Sequence, residues 1–262
     1  MSIRTSRWPD GVPCWAELTV PDVEAAKRFY TAVLGWTYRP TEIEFGGYAI
    51  AEAHGAAAAA IGPSPRGAPV TWTLYLAVDD VDKTAAAVPI HGGRVLRRPH
   101  DVGGLGRMVV ATDATGAQFG LWQAGSHIGT AVVNEPGGLT WEDLRSPEPE
   151  RARTFYTAVF GHHTEPLAEA GDDYHLFSVP GDDVALGGMG GMAGEKGQAH
   201  WLVYFAVADA ETAVSAAEQA GGRVLERDFE SLYGRMARLA DPDGATFSVL
   251  ESSGENAPDR TG

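Results

Sequence analysis

The chain has 262 residues, 44% hydrophobic and 21% charged, enough for one large domain or two of ordinary size. Its 35 acidic residues outnumber 20 basic ones for a formal charge of −15, which argues against a nucleic-acid or anionic-membrane partner. A single cysteine, Cys14, excludes an internal disulfide and a multi-cysteine metal site.

The N-terminal stretch MSIRTSRWPDG lacks the apolar core of a secretion signal, and no run approaches the roughly 18 apolar residues of a membrane span. A cytoplasmic protein is expected. Pro13–Val20 alternates like a half-buried strand, and within it Cys14 reads as a small buried hydrophobe rather than a nucleophile. Asp22 is placed to cap a helix over Val23–Leu34 that Gly35 ends, since Val23, Ala26, Phe29, Tyr30, Val33 and Leu34 recur at helical spacing. Gly46–Ala53 and Ala56–Gly62 read as short strands, although the alanine run alone could be helical. After Pro69 the segment VTWTLYLAV is a strand, and Asp80–Val88 is a helix capped by Asp79 or Asp80. RMVVATD and AQFGLW then form a hairpin.

The whole series comes twice. FYTAV occurs at Phe29–Val33 and at Phe155–Val159, 126 residues apart, and Trp15, Glu17 and Leu18 find counterparts in Trp141, Asp143 and Leu144. YLAVDD matches YFAVAD, GGRVL recurs unchanged, and the offset drifts only to 129 by the C-terminal end. Such self-similarity indicates duplication. The expected α+β architecture is four βαβββ modules in two homologous domains, residues 1–124 and 137–252, with curved mixed sheets around cup-shaped cavities. Residues 125–136 are the linker, and 253–262 are expected to be a disordered tail.

Paired modules carrying TVPDVEAAKRFYTAVLGW and LADPDGATFSVLE resemble the vicinal oxygen chelate superfamily of glyoxalase I, extradiol dioxygenases and bleomycin-resistance proteins. The two-repeat layout is similar to longer glyoxalase-like proteins, among them a drug-binding accessory protein of daunorubicin biosynthesis. The resemblance implies a divalent metal on inward-facing side chains, at positions that here hold Trp15, Thr73 and Gly120, then Trp141, Leu202 and Ser248. None of these side chains ligates zinc, iron or manganese, which take imidazole, carboxylate or thiolate. No metal and no cofactor are therefore expected.

Residues two apart on a strand share a face. The expected walls are Trp15, Glu17, Thr71, Thr73, Tyr75, Gln118 and Trp122 in the first cup, and Trp141, Asp143, His200, Leu202, Tyr204, Thr246 and Ser248 in the second. Indoles and phenols with a few polar groups suit a flat aromatic or polycyclic molecule. The same tryptophans could instead plug obsolete cavities, with Glu17 and Asp143 paired to an arginine or facing solvent. Glu17, Asp143 and His200 are candidate general bases for a cofactor-independent isomerase, cyclase or lyase. His100 and Tyr233 fall in corresponding loops that could cover the cups. GGMGGM (Gly187–Met192) reads as a pliable wall or an edge strand, and His162–His163 as surface residues beyond a helix. A monomer or weak homodimer is expected.

Overall fold

The computed structural model describes residues 3–39, 47–64, 68–171, 173–194, 197–229 and 233–252; the expected tail lies outside them. The first repeat runs β1 (Pro13–Val20), α1 (Val23–Leu34), β2 (Thr37–Arg39), β3 (Ala49–Ala53), β4 (Ala56–Pro63), β5 (Thr71–Ala77), α2 (Val81–Ile90), β6 (Arg94–Asp101), β7 (Gly106–Thr112) and β8 (Gln118–Ala124). The second runs β9 (Leu139–Arg145), α3 (Pro149–Phe160), β10 (His163–Pro166), β11 (His175–Ser178), β12 (Gly187–Gly190), β13 (His200–Ala206), α4 (Ala210–Gln219), β14 (Arg223–Asp228), β15 (Gly234–Ala240) and β16 (Thr246–Ser252).

Each repeat builds one eight-stranded mixed sheet, ordered β2-β3-β4-β1-β5-β8-β7-β6 and β10-β11-β12-β9-β13-β16-β15-β14. The two orders are the same. At each centre the first strands of the two modules run antiparallel, β1 with β5 and β9 with β13. Each cup is thus formed within a repeat, and the chain needs no second copy to complete it.

Local signals account for the elements. Asp22 accepts from the Ala25 amide, and Gly35 turns left-handed at φ 70°, as a cap and a C-terminal glycine should. Asp80, not Asp79, caps α2, taking the Asp82 and Lys83 amides. The alanine run resolves as β4, an interior strand between β3 and β1 with Ala58–Ile61 wholly buried. Tertiary pairing outweighs alanine's helical preference there.

FYTAV turns out to serve the junction between repeats. Phe29 and Tyr30 of α1 meet Phe247 of the second repeat, at 6.1 and 5.2 Å between ring centres. Phe155 and Tyr156 of α3 meet Phe119 of the first, at 5.9 and 5.8 Å. Trp72 Nε1 donates to the Tyr30 hydroxyl, which donates to Asp241 Oδ2. Reciprocally, Trp201 Nε1 donates to the Tyr156 hydroxyl at 2.8 Å, beside Asp113. The rings that follow the helices close a second pair of clasps. Trp36 Nε1 donates to the Gly137 carbonyl at 2.7 Å, and His162 Nε2 lies 2.9 Å from the Gly11 carbonyl. Trp36 and His162 stand 126 positions apart, as do Gly11 and Gly137.

His162 is therefore not a surface residue. It is 1% exposed, stacked among Tyr156, Phe160 and Phe177, while His163 is exposed. Burial pushes its pKa down from 6.5 to about 4, and its buried Nδ1 has no partner to receive a proton's hydrogen bond. In the unfolded chain the ring takes a proton below about pH 6.5, whereas in the fold it stays neutral. Its contribution is thus complete above that pH and declines as pH falls toward 4, by about 3 kcal/mol in all. Urea midpoints of wild type and His162→Gln across this range should converge on acidification; parallel profiles would contradict the assignment.

Candidate functional site

The first cup holds a cavity of about 450 Å³. Trp15 and Glu17 reach it from alternate positions of β1, Tyr75 from the β5 position paired with Trp15, and Trp122 from β8. Tyr48 and Ile50 close one side, Met108 and Leu105 another, and Arg97, His100 and Asp101 of β6 stand at the mouth. A ligand would pass these polar groups at the mouth and meet mostly aromatic and aliphatic side chains inside, the usual build of a small-molecule pocket.

Two features of that wall were not anticipated. His127, from the segment joining the repeats, sits perpendicular to Trp15 at 4.6 Å between centres, and its carbonyl receives Trp122 Nε1 at 2.9 Å. Burial, with the charge of Arg39, pushes its pKa down to about 4, so it faces the cavity as a neutral ring. The joining segment is packed against β1 here: Thr130 N donates to the Cys14 carbonyl at 2.7 Å, and a side chain at Gly129 would collide with that carbonyl. Tyr48 is the second addition, donating to Glu17 Oε2 at 2.9 Å. Burial raises the Glu17 pKa, against the Tyr48 hydrogen bond and the Arg97 charge.

Thr73 and Gln118 do not line the cavity. Gln118 Nε2 donates to Thr73 Oγ1 at 2.9 Å, so the two satisfy each other. Their neighbour Gly120 lies opposite Tyr75, and a Cβ at Gly120 would run into the Tyr75 ring. Where the resemblance implies a carboxylate ligand, a phenol now lies across the strand. With Trp15 and Thr73 at the other two seats, the donor set does not fit a divalent metal. Among the described residues no three His, Cys, Asp or Glu side chains come together as a metal site.

The second cup is filled from within. Asp143 accepts from the Tyr174 hydroxyl at 2.6 Å, the Tyr204 hydroxyl at 2.8 Å, Trp141 Nε1 at 3.0 Å and Arg145 Nη2 at 2.7 Å. Tyr174 crosses β12, where a Cβ at Gly188 would collide with its hydroxyl. The glycines of GGMGGM are thus neither a pliable wall nor an edge: β12 lies between β11 and β9, bare so that a tyrosine can lie on it. A residual cavity of about 160 Å³ keeps Leu202, Tyr204 and Ser248 together with Arg145, Met236 and Arg238. That is below the 300 Å³ or so of a drug-sized pocket.

Trp141 and Asp143 thus belong to a closed network, not to an open wall. His200 opens β13 with Nδ1 3.0 Å from the Gln198 carbonyl and lines neither cavity. Of the three candidate bases Glu17 lines the larger of these two cavities. His100 stands at the first cup's mouth, whereas Tyr233 is 39% exposed and absent from the second cup's wall.

The sequence and fold have known counterparts. Residues 14–142 match the family model of the Glyoxalase/Bleomycin resistance protein/Dioxygenase superfamily, and residues 143–250 that of a Glyoxalase-like domain. A Mycobacterium tuberculosis protein named "Putative glyoxylase CFP32" is 42% identical over 257 residues, 95% of this chain and 97% of its own. Anthracycline biosynthesis protein DnrV of Streptomyces peucetius is 35% identical over 262 aligned positions, covering 94% of this chain and 95% of its own. The Mn(II)-bound glyoxalase of Novosphingobium aromaticivorans superposes with a TM-score of 0.65 at 17% identity, over 93% of this chain and 84% of that one.

Proposed function

The chain belongs to the Glyoxalase/Bleomycin resistance protein/Dioxygenase superfamily, and from that premise we propose a metal-free protein that binds a flat aromatic small molecule in its N-terminal cup. The observation that carries this reading is the cavity of about 450 Å³ walled by Trp15, Tyr48, Tyr75 and Trp122, with a half-buried carboxyl at Glu17. Its size lies within the range of drug-sized sites, and indole faces favour flat conjugated ligands by about 1 kcal/mol per ring beyond the area they bury. The relation to a protein named for anthracycline biosynthesis supports a polycyclic natural product as the ligand, held for sequestration or delivery.

Tryptophan fluorescence and equilibrium dialysis against a panel of polycyclic aromatics test this. A ligand tighter than roughly 100 μM, about −5.5 kcal/mol, is expected. No binding at that level by any member of the panel would overturn the reading.

One observation favours a second reading. A carboxyl whose pKa burial has raised inside an apolar cavity is suited to general-base work, so Glu17 would serve a cofactor-independent isomerase, cyclase or lyase. Turnover that vanishes in Glu17→Gln while ligand binding survives would select it.

A further inference from the structure

We infer that the N-terminal cup takes a protonated amine carried on a flat aromatic body, with Glu17 as its counterion. The inference rests on the reading of this cup as an aromatic-ligand site and adds the ligand's charge.

The duplication supplies the comparison. Glu17 and Asp143 are 126 positions apart, as are the tyrosines that donate to them, Tyr48 and Tyr174. Both repeats thus keep a carboxylate clasped by a tyrosine on the cup floor. In the second repeat that carboxylate has a cation of its own: Arg145 donates to Asp143 Oδ2 at 2.7 Å, its guanidinium 5.7 Å from the centre of the Tyr174 ring. The position equivalent to Arg145 in the first repeat is Thr19. At that position no cation stands, and an open cavity with Arg97 at its mouth lies beside the carboxyl instead.

What surrounds that cavity suits a cation. Trp15, Tyr48, Tyr75 and Trp122 line the cavity together with Glu17, and aromatic rings attract ammonium groups through their negative faces. An N–H donor on a charged nitrogen would also satisfy a carboxylate that has one hydrogen bond, from Tyr48, and a charge-assisted bond is about twice as strong as a neutral one. Arg97 at the mouth acts on Glu17 through its charge, with no ion pair between them. The chain's charge of −15 attracts cationic ligands further.

The test uses three probes of one shape, the aminomethyl, hydroxymethyl and carboxylate derivatives of anthracene, titrated against the full chain by tryptophan fluorescence. The amine should bind about tenfold tighter than the alcohol, and the carboxylate should bind weakest. In Glu17→Gln the amine and the alcohol should come within about threefold of each other. Thr19→Arg, which leaves Glu17 in place and restores the second repeat's arrangement, should erase the amine's advantage too. Equal affinities for amine and alcohol in the wild type, or a preference for the carboxylate, would overturn the inference while leaving an aromatic site. Failure of all three probes to bind would overturn both readings.

Discussion

Trp36→Ala lowers the unfolding free energy by roughly 3–5 kcal/mol, the cost of emptying a fully packed aromatic site. Trp36 is wholly buried, stacked on Tyr30 at 5.5 Å and perpendicular to Phe205 of the other repeat at 5.0 Å. Its Nε1 bond to the Gly137 carbonyl would be lost as well, leaving an acceptor without its donor. Because the core is continuous across both repeats, the loss should appear as one cooperative transition shifted down by roughly 6–20 °C. Calorimetry reads this directly. Two separated transitions in the wild type, or a shift confined to one of them, would show the repeats to be energetically independent.

Asp143→Asn should destabilise by a similar amount, about 3–5 kcal/mol, because it strands a buried guanidinium. Asp143 is 3% exposed at its side chain and Arg145 19%, so water replaces the lost charge only in part. The amide that replaces one carboxylate oxygen would also point donors at Tyr174, Tyr204 or Trp141, which are themselves donors to Asp143. Glu17→Gln, at the equivalent position, should cost about 1 kcal/mol or less. The glutamine carbonyl can still accept from Tyr48, and the change removes a carboxylate whose ionised form burial already opposes. Urea midpoints of the two variants give the contrast, and equal losses would mean that both cups are structural plugs.

Sequence carried the architecture well, for local reasons. The helix α1 was legible to the residue because its cap, apolar spacing and terminal glycine all agree, and the duplication located every other element by analogy. Strand alternation placed Trp15, Glu17, Tyr75 and Trp122 on one wall. It could not say whether a cup is filled, because filling depends on residues outside the strand core. Tyr174 comes from a turn before β11, and no periodicity marks it. The pairing of Tyr48 with Tyr174 was nonetheless present in the 126-residue offset. His127 carries no signal of this kind: it lies in the connection between repeats, whose path depends on tertiary packing. A ring just past a helix is usually solvated, which is why His162 reads as a surface residue in the sequence. Here the neighbouring repeat covers it.

The two repeats have therefore diverged in what occupies the same cup. Both have a tyrosine on the carboxylate, but one adds an arginine and the other has space. Counting ligands tests this most directly. Calorimetric titration with the aminomethyl derivative of anthracene should give one molecule per chain, and Met108→Trp, which fills the N-terminal cavity, should abolish the heat. Two molecules per chain, or full binding in the filled variant, would contradict the account.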